Sequence, residues 1–317
     1  TWADLRVGRQ VLTWGTGDLL FINDLFPKDW NAFFIGRDEE YLKAPSDALK
    51  LSMFSEVANL DLVYTPRFDA NRFPDHRRLS AWSPVMNQPF GEDVSPRFAA
   101  PDNWLDDQEL ALRLFRNVEG YELAVYGYYG FWKDPKGFDV DTGEATFPDL
   151  AVAGASVRGM VAGGIGNLEM GYYDSRNDRA GDDPFVPNSQ VRLLLGYERE
   201  IGHELTAGCQ YYLEWMCQYS DYLRTLPAAS PEADEDRHVF TLRLTKTLLR
   251  QNLSLSLFAY LSPSDLDAYL RPNVHYKIND NLSVSAGANV FFGKYRHTFF
   301  GQFERNSNVY AGVRCAF

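Results

Sequence analysis

Leu253-Ser-Leu-Ser-Leu-Phe-Ala-Tyr-Leu261 alternates without a break. Leu253, Leu255, Leu257, Ala259 and Leu261 fall on one side, and Ser254, Ser256, Phe258 and Tyr260 on the other. Successive side chains of a strand point to opposite faces, so this segment has one fully apolar face and one polar and aromatic face. Its length is close to the roughly 9–11 residues with which a tilted strand crosses a bilayer.

The same pattern extends outward from that segment. Over Leu282–Gly293 one face reads Leu282, Val284, Ala286, Ala288, Val290, Phe292, and the other Ser283, Ser285, Gly287, Asn289, Phe291, Gly293. Over Leu270–Ile278, Arg271, Asn273, His275 and Lys277 oppose Leu270, Pro272, Val274, Tyr276 and Ile278. Leu110–Phe115, Tyr121–Phe131, Ala153–Val161, Leu168–Tyr173, Val191–Glu198, Leu205–Met216 and Phe240–Thr247 split in the same way. About 14 strands are visible. A soluble sandwich also has one apolar face, but its other face is solvent-charged. Here the polar rows hold Ser, Gly, Asn, Thr and Tyr beside the charges, as a wet interior requires.

The connections alternate in length. Short turns rich in Asn, Gly and Asp are expected at Glu56–Asn59, Asn117–Gly120, Gly163–Asn167, Ile201–Glu204, Arg250–Asn252 and Asn279–Asn281. These residues tolerate the left-handed conformations of tight hairpins. Long loops are expected near 15–47, 67–107, 133–149, 174–189 and 217–237, and shorter ones near 262–267 and 294–301. Short turns at one end and long loops at the other are the habit of outer-membrane barrels. The expected fold is therefore all-β: one domain over residues 1–317, a transmembrane antiparallel up-and-down β-barrel.

Composition is compatible with this. Of 317 residues, 45% are hydrophobic and 15% aromatic. The mean hydropathy of -0.33 reflects apolar residues diluted by the polar ones between them. A net charge of -12 argues against a nucleic-acid partner. Cys209, Cys217 and Cys315 have no metal-ligand spacing. Cys209 and Cys217 would lie about 26 Å apart on one strand, too far for a disulfide. All three read as small apolar fillers. No cofactor is expected. Asp139-Val-Asp-Thr-Gly-Glu144 has only part of a calcium loop and lacks the closing glutamate, so no metal is expected there.

Two features concern the chain's ends. Thr1 to Gln10 already read as strand with no secretory leader, which suggests a piece of a longer polypeptide. At the other end, Cys315, Val313, Ala311 and Val309 alternate back from a terminal Phe317. That pattern resembles the assembly signal of bacterial outer-membrane proteins, with the barrel-assembly machinery as partner.

Leu5-Arg-Val-Gly-Arg-Gln-Val-Leu-Thr-Trp-Gly15, Ile22-Asn-Asp-Leu-Phe-Pro27 and Tyr64-Thr-Pro-Arg-Phe-Asp-Ala-Asn-Arg-Phe-Pro74 resemble segments of porin-like barrels of Gram-negative bacteria. These include alginate-export-type porins and a poorly characterised porin-like family. The resemblance covers residues 5–75 and is architectural beyond them. It implies a bacterial outer membrane and solute passage. Family members carry further strands before the Gly-Arg-Gln segment, which would make a complete barrel of 16 or 18.

If the apolar rows meet lipid, the opposite rows line a pore: Lys50, Asp61, Arg113, Glu122, Arg158, Glu169, Arg192, Glu198, Gln210, Glu214, Arg243, Arg271, His275, Lys277 and Arg314. An Arg or Lys in mid-bilayer costs roughly 2–4 kcal/mol, which is why charge must turn inward. Arg6 and Arg9 fall on opposite faces, so a bulge near Gly8 or a position at the lipid edge is expected. Bases gather on Arg243, Arg271, Lys277 and Arg314, acids on Glu122, Glu169, Glu198 and Glu214. Two such rows either set up a transverse field or pair and stiffen the wall.

Loops 16–47 and 67–107 are too long to be idle connectors. They carry apolar anchors, Leu19, Leu20, Phe21, Ile22 and Phe26 in one and Trp82, Val85, Met86 and Trp104 in the other. One or both are expected to fold into the lumen, the alternative being a lid above the rim. The expected function is passive diffusion of small hydrophilic solutes. A sheath for an exported polymer or an inserted partner protein is the alternative. Outer-membrane lipid and lipopolysaccharide are expected partners, and an oligomer is compatible with the pattern. Catalysis is not expected: His275 shares a face with Ser254 and Ser256 but has no orienting group or oxyanion donor in view.

Overall fold

Period-2 patterning builds one long sheet. The computed structural model describes residues 2–74, 79–83, 88–90, 97–228 and 230–316. Fourteen strands follow in chain order: β1 (Ala3–Val11), β2 (Pro45–Met53), β3 (Asn59–Thr65), β4 (Glu109–Val118), β5 (Tyr121–Phe131), β6 (Asp149–Val161), β7 (Gly164–Ser175), β8 (Gln190–Gly202), β9 (Leu205–Met216), β10 (Asp236–Leu248), β11 (Leu253–Ser262), β12 (Asp267–Lys277), β13 (Leu282–Gly293) and β14 (Asn308–Cys315). Each pairs antiparallel with the next, so the wall is an all-β, up-and-down barrel wall of 14 strands.

The turns are short at one end. Glu119–Gly120 and Ala162–Gly163 each reverse the chain with both residues at positive φ, the backbone twist that two-residue hairpins need. The turn expected over Gly163–Asn167 is shorter than that, because β7 already starts at Gly164. A Cβ at Gly164 would lie 2.4 Å from the Glu198 carbonyl oxygen. That glycine serves close strand approach, not chain reversal.

Register sorts the faces. In β11, Ser254, Ser256, Phe258 and Tyr260 face inward opposite Thr247, Thr245, Arg243 and Thr241 of β10. Leu242, Leu255 and Leu261 stand exposed on the outside, as do Leu110, Leu112 and Leu114 of β4. Between β1 and β2 the register runs unbroken from Ala3↔Met53 to Val11↔Pro45, so the bulge expected near Gly8 is not there. Arg9 instead points outward near the loop end of β1 and pairs with Asp47 at 3.0 Å. Charge is affordable at that edge.

The sheet curls on itself. The 12–44 segment joins β1 to β2 and contains a short helix, α1 (Trp30–Phe34), capped by Asp29, whose carboxylate accepts from Ala32 N at 2.8 Å. Asn31 N donates to Arg72 O, in the loop that follows β3, at 3.2 Å. Phe34 O accepts from Asn289 Nδ2 of β13 at 2.9 Å. In a flat sheet β3 and β13 would lie about 48 Å apart, yet the stretch from Thr65 to Arg72 and one helical turn bridge them. Among the described residues no ladder joins β1 to β14.

Candidate functional site

The 12–44 segment enters the space the wall encloses. Leu12, Trp14, Leu20, Ile22, Phe26, Phe33, Phe34 and Leu42 are buried there. Phe34 packs on Phe303 and Phe291 with ring centroids 5.0 and 5.5 Å away, and Phe33 packs on Tyr269 at 6.0 Å. Each buried Phe contributes about 1.5–3 kcal/mol. The expectation that this loop folds inward thus describes its path. The second loop leaves β3 and crosses toward the connection between β13 and β14. Asn306 Nδ2 donates to Ser80 O at 2.9 Å, and Trp82 N to Gln302 Oε1 at 3.2 Å. Trp104 is exposed under the Arg67 guanidinium. Val85, Met86 and Phe317, with the assembly signal it would carry, lie outside the described residues.

All the residues expected inward share the face that this segment occupies. Several hold the segment. The Glu169 carboxylate is 1% exposed and accepts from Thr16 N (2.6 Å), Thr16 Oγ1 (2.9 Å), Asn23 N (2.7 Å) and Asn23 Nδ2 (3.1 Å). Gln210 Oε1 accepts from Asp18 N at 3.0 Å. Arg243 binds Asp18 and Glu39, the latter at 3.1 Å. Arg271 donates to Arg37 O at 2.5 Å and lies 4.2 Å from the Phe33 ring. Arg314 stands 3.7 Å from Glu40.

Others pair within the wall: Lys50 with Asp61 (3.1 Å), Arg113 with Glu122 (2.6 Å) and Arg192 with Glu214 (3.3 Å). Lys277 reaches Asp280 in its turn at 2.8 Å. Apart from Glu198, the acid and base rows are thus bonded to the inserted segment or to near neighbours. His275 stands opposite Ser254 in register with no hydrogen bond between them.

Burial along the inner face is graded. Leu150, Val152, Tyr173, Gln190, Asp267 and Tyr269, near the long-loop end, are buried. Arg158, Glu198, His275, Lys277 and Arg314, toward the short-turn end, are exposed. The enclosed space is packed at one end and open at the other.

Above the packed zone lies a cavity of about 1830 Å³. Its lining mixes aromatic side chains, among them Phe21, Trp30, Phe138 and Phe299, with Lys28, Lys133, Lys136, Arg192, Arg237, Asp134, Glu214 and Asp265. Lys28 is fully buried, and burial pushes its ammonium below the usual lysine range while Asp24 opposes that shift. Its Nζ donates to Asp24 Oδ1 at 2.9 Å and Phe26 O at 2.6 Å. Asp139 accepts from Asp141 N and Thr142 N, and these bonds hold its carboxyl below the usual range. That turn accounts for the acidic hairpin.

Sequence reasoning missed Asp18, Asn23, Glu39, Lys133 and Lys136. Each lies in a long connection, where period 2 says nothing about direction. Only the mixture of apolar anchors with isolated charges hints that such a loop is packed.

No family model matches the chain, and no curated protein matches it. Among solved structures it is similar to a porin, at 13% identity and a TM-score of 0.49, over 85% of this chain and 81% of that one. A mutant of the Rh. blastica porin matches at 13% identity and a TM-score of 0.42, over 88% and 80%. OccAB3 of Acinetobacter baumannii matches at 11% identity and a TM-score of 0.43, over 85% and 68%. None of these comparisons carries the resemblance of residues 5–75 to alginate-export-type porins.

Proposed function

We propose that the chain is an outer-membrane channel for passive diffusion of small hydrophilic solutes. One observation carries the reading: the molecule is inverted with respect to water. Large apolar side chains such as Leu112, Val125, Leu242 and Leu255 are exposed on the outer face. Charged ones such as Arg158, Glu198 and Lys277 are exposed on the inner face. A hydrocarbon exterior and an aqueous interior satisfy both. The space near the long-loop end is already taken by the 12–44 segment, which supports a channel over a sheath for a threaded polymer or partner.

Reconstitution tests this. Discrete conductance steps in a planar bilayer, and liposome swelling that falls off with sugar size, are expected. Absence of both in correctly folded protein would favour the sheath. A folded monomer stable in detergent-free buffer would remove the membrane altogether.

A further inference from the structure

Four of the basic side chains around the mouth cavity are paired, and Lys136 is not. Lys28 meets Asp24 at 2.9 Å, Lys133 meets Glu109 at 2.6 Å, Arg192 meets Glu214 at 3.3 Å and Arg237 meets Asp265 at 2.6 Å. Lys136 Nζ has no carboxylate within 4.0 Å and no hydrogen-bond acceptor among the described residues. It stands 4.9 Å from the centroid of the Trp132 ring.

The acids that act on Lys136 from a distance are Glu214 and Asp134, and Arg192 and Arg237 oppose them. Glu214 is engaged by Arg192 and by Tyr212 Oη at 2.8 Å. Asp134 accepts from Asn71 Nδ2 at 2.5 Å. Arg192 also lies over aromatic rings, 3.9 Å from Tyr173 and 5.6 Å from Trp132. Two cations therefore share one buried indole. The Lys136 side chain is exposed to the cavity.

The rest of the lining is suited to something greasy. Phe138 and Phe185 pack at 6.0 Å, Trp132 lies beneath the Lys136 ammonium, and Phe21, Trp30 and Phe299 line the same cavity. Aromatic rings beside a cation that lacks an ion-pair partner are the makings of a site for an amphipathic anion. A fully hydrated ion would gain little from such walls.

We propose that Lys136 docks the carboxylate of an aromatic monocarboxylate whose ring lies among these aromatic side chains. The inference rests on the channel reading for the solute's onward passage, while binding itself does not require passage.

Equilibrium dialysis of detergent-solubilised protein against radiolabelled benzoate tests it, with unlabelled acetate, benzylamine and benzyl alcohol as competitors. Saturable binding is expected, with each competitor at least tenfold weaker than unlabelled benzoate. K136Q should weaken binding tenfold or more and K136R should largely restore it, both with the heat-modifiable gel mobility of the parent. Competition by acetate or benzylamine equal to that of benzoate, or undiminished binding by folded K136Q, would overturn the proposal. KCl conductance of the same preparation separates the two readings. Conductance without benzoate binding defeats the site alone, and binding without conductance defeats the channel and leaves the site standing.

Discussion

Arg243 of β10 grips Asp18 of the inserted segment through two nitrogens at once, Nη2 2.9 Å from Oδ1 and Nε 2.5 Å from Oδ2. Fork-to-carboxylate geometry of this kind is the strongest form of such a bond. The same guanidinium reaches Glu39, so one side chain ties down two points of the 12–44 segment. Charge-assisted bonds contribute about 1.5–3 kcal/mol each. R243A is expected to loosen the segment. In single-channel recordings this should appear as larger and noisier conductance, and in limited proteolysis as cleavage within 12–44. D18N should reproduce part of the effect and add little on top of R243A.

Glu169 is the second anchor. Its carboxylate answers four donors, two of them backbone N–H groups. E169A leaves buried donors without acceptors, at about 1–3 kcal/mol apiece. E169Q keeps the shape but turns an amide NH₂ toward groups that themselves donate. Both variants should open the lumen, with E169A the more severe, as judged by conductance and by thermal unfolding in detergent. Equal conductance in all three proteins would mean that Glu169 does not brace the segment.

The orientation of the wall can be tested with two adjacent residues. Leu257 faces outward between Leu244 and Pro272, and Ser256 faces inward between Thr245 and Asn273. L257R should destabilise the protein in vesicles by roughly 2–4 kcal/mol. S256R should cost far less. The measurement is the denaturant midpoint in lipid for each variant, and a reversed order would turn the barrel inside out.

Ion preference should follow the wet half of the inner face. Arg158 is exposed there with no carboxylate within 4.0 Å among the described residues, whereas Lys277 is already bonded to Asp280. R158Q should shift the reversal potential in a KCl gradient toward cations, more than K277Q does. E198Q should shift it the other way. Three identical potentials would show that these charges do not face the ion path.

Much of the wall was legible because a strand's period is an integer. Lys277, His275 and Arg271 could be placed on one face by counting alone, and register confirms their alignment. What failed was local. Gly163-Gly-Ile-Gly166 reads as a turn by composition, but only its first glycine turns. Gly8 has a positive φ and looks like a bulge, but β2 pairs straight past it. The partners of Glu169 and Arg243 lie about 150 and 225 residues away in the chain. No periodicity links a loop residue to a strand that far off, because closure of the sheet brings them together.

The graded interior also has an electrical consequence. In a channel of this shape, resistance would be concentrated near one mouth, and the opposite vestibule would be a broad electrolyte reservoir. Ions driven from the wide side would crowd against the constriction, and ions driven from the narrow side would disperse as they leave it. Current should then differ in size when the voltage is reversed, and that rectification would report which way the molecule has inserted.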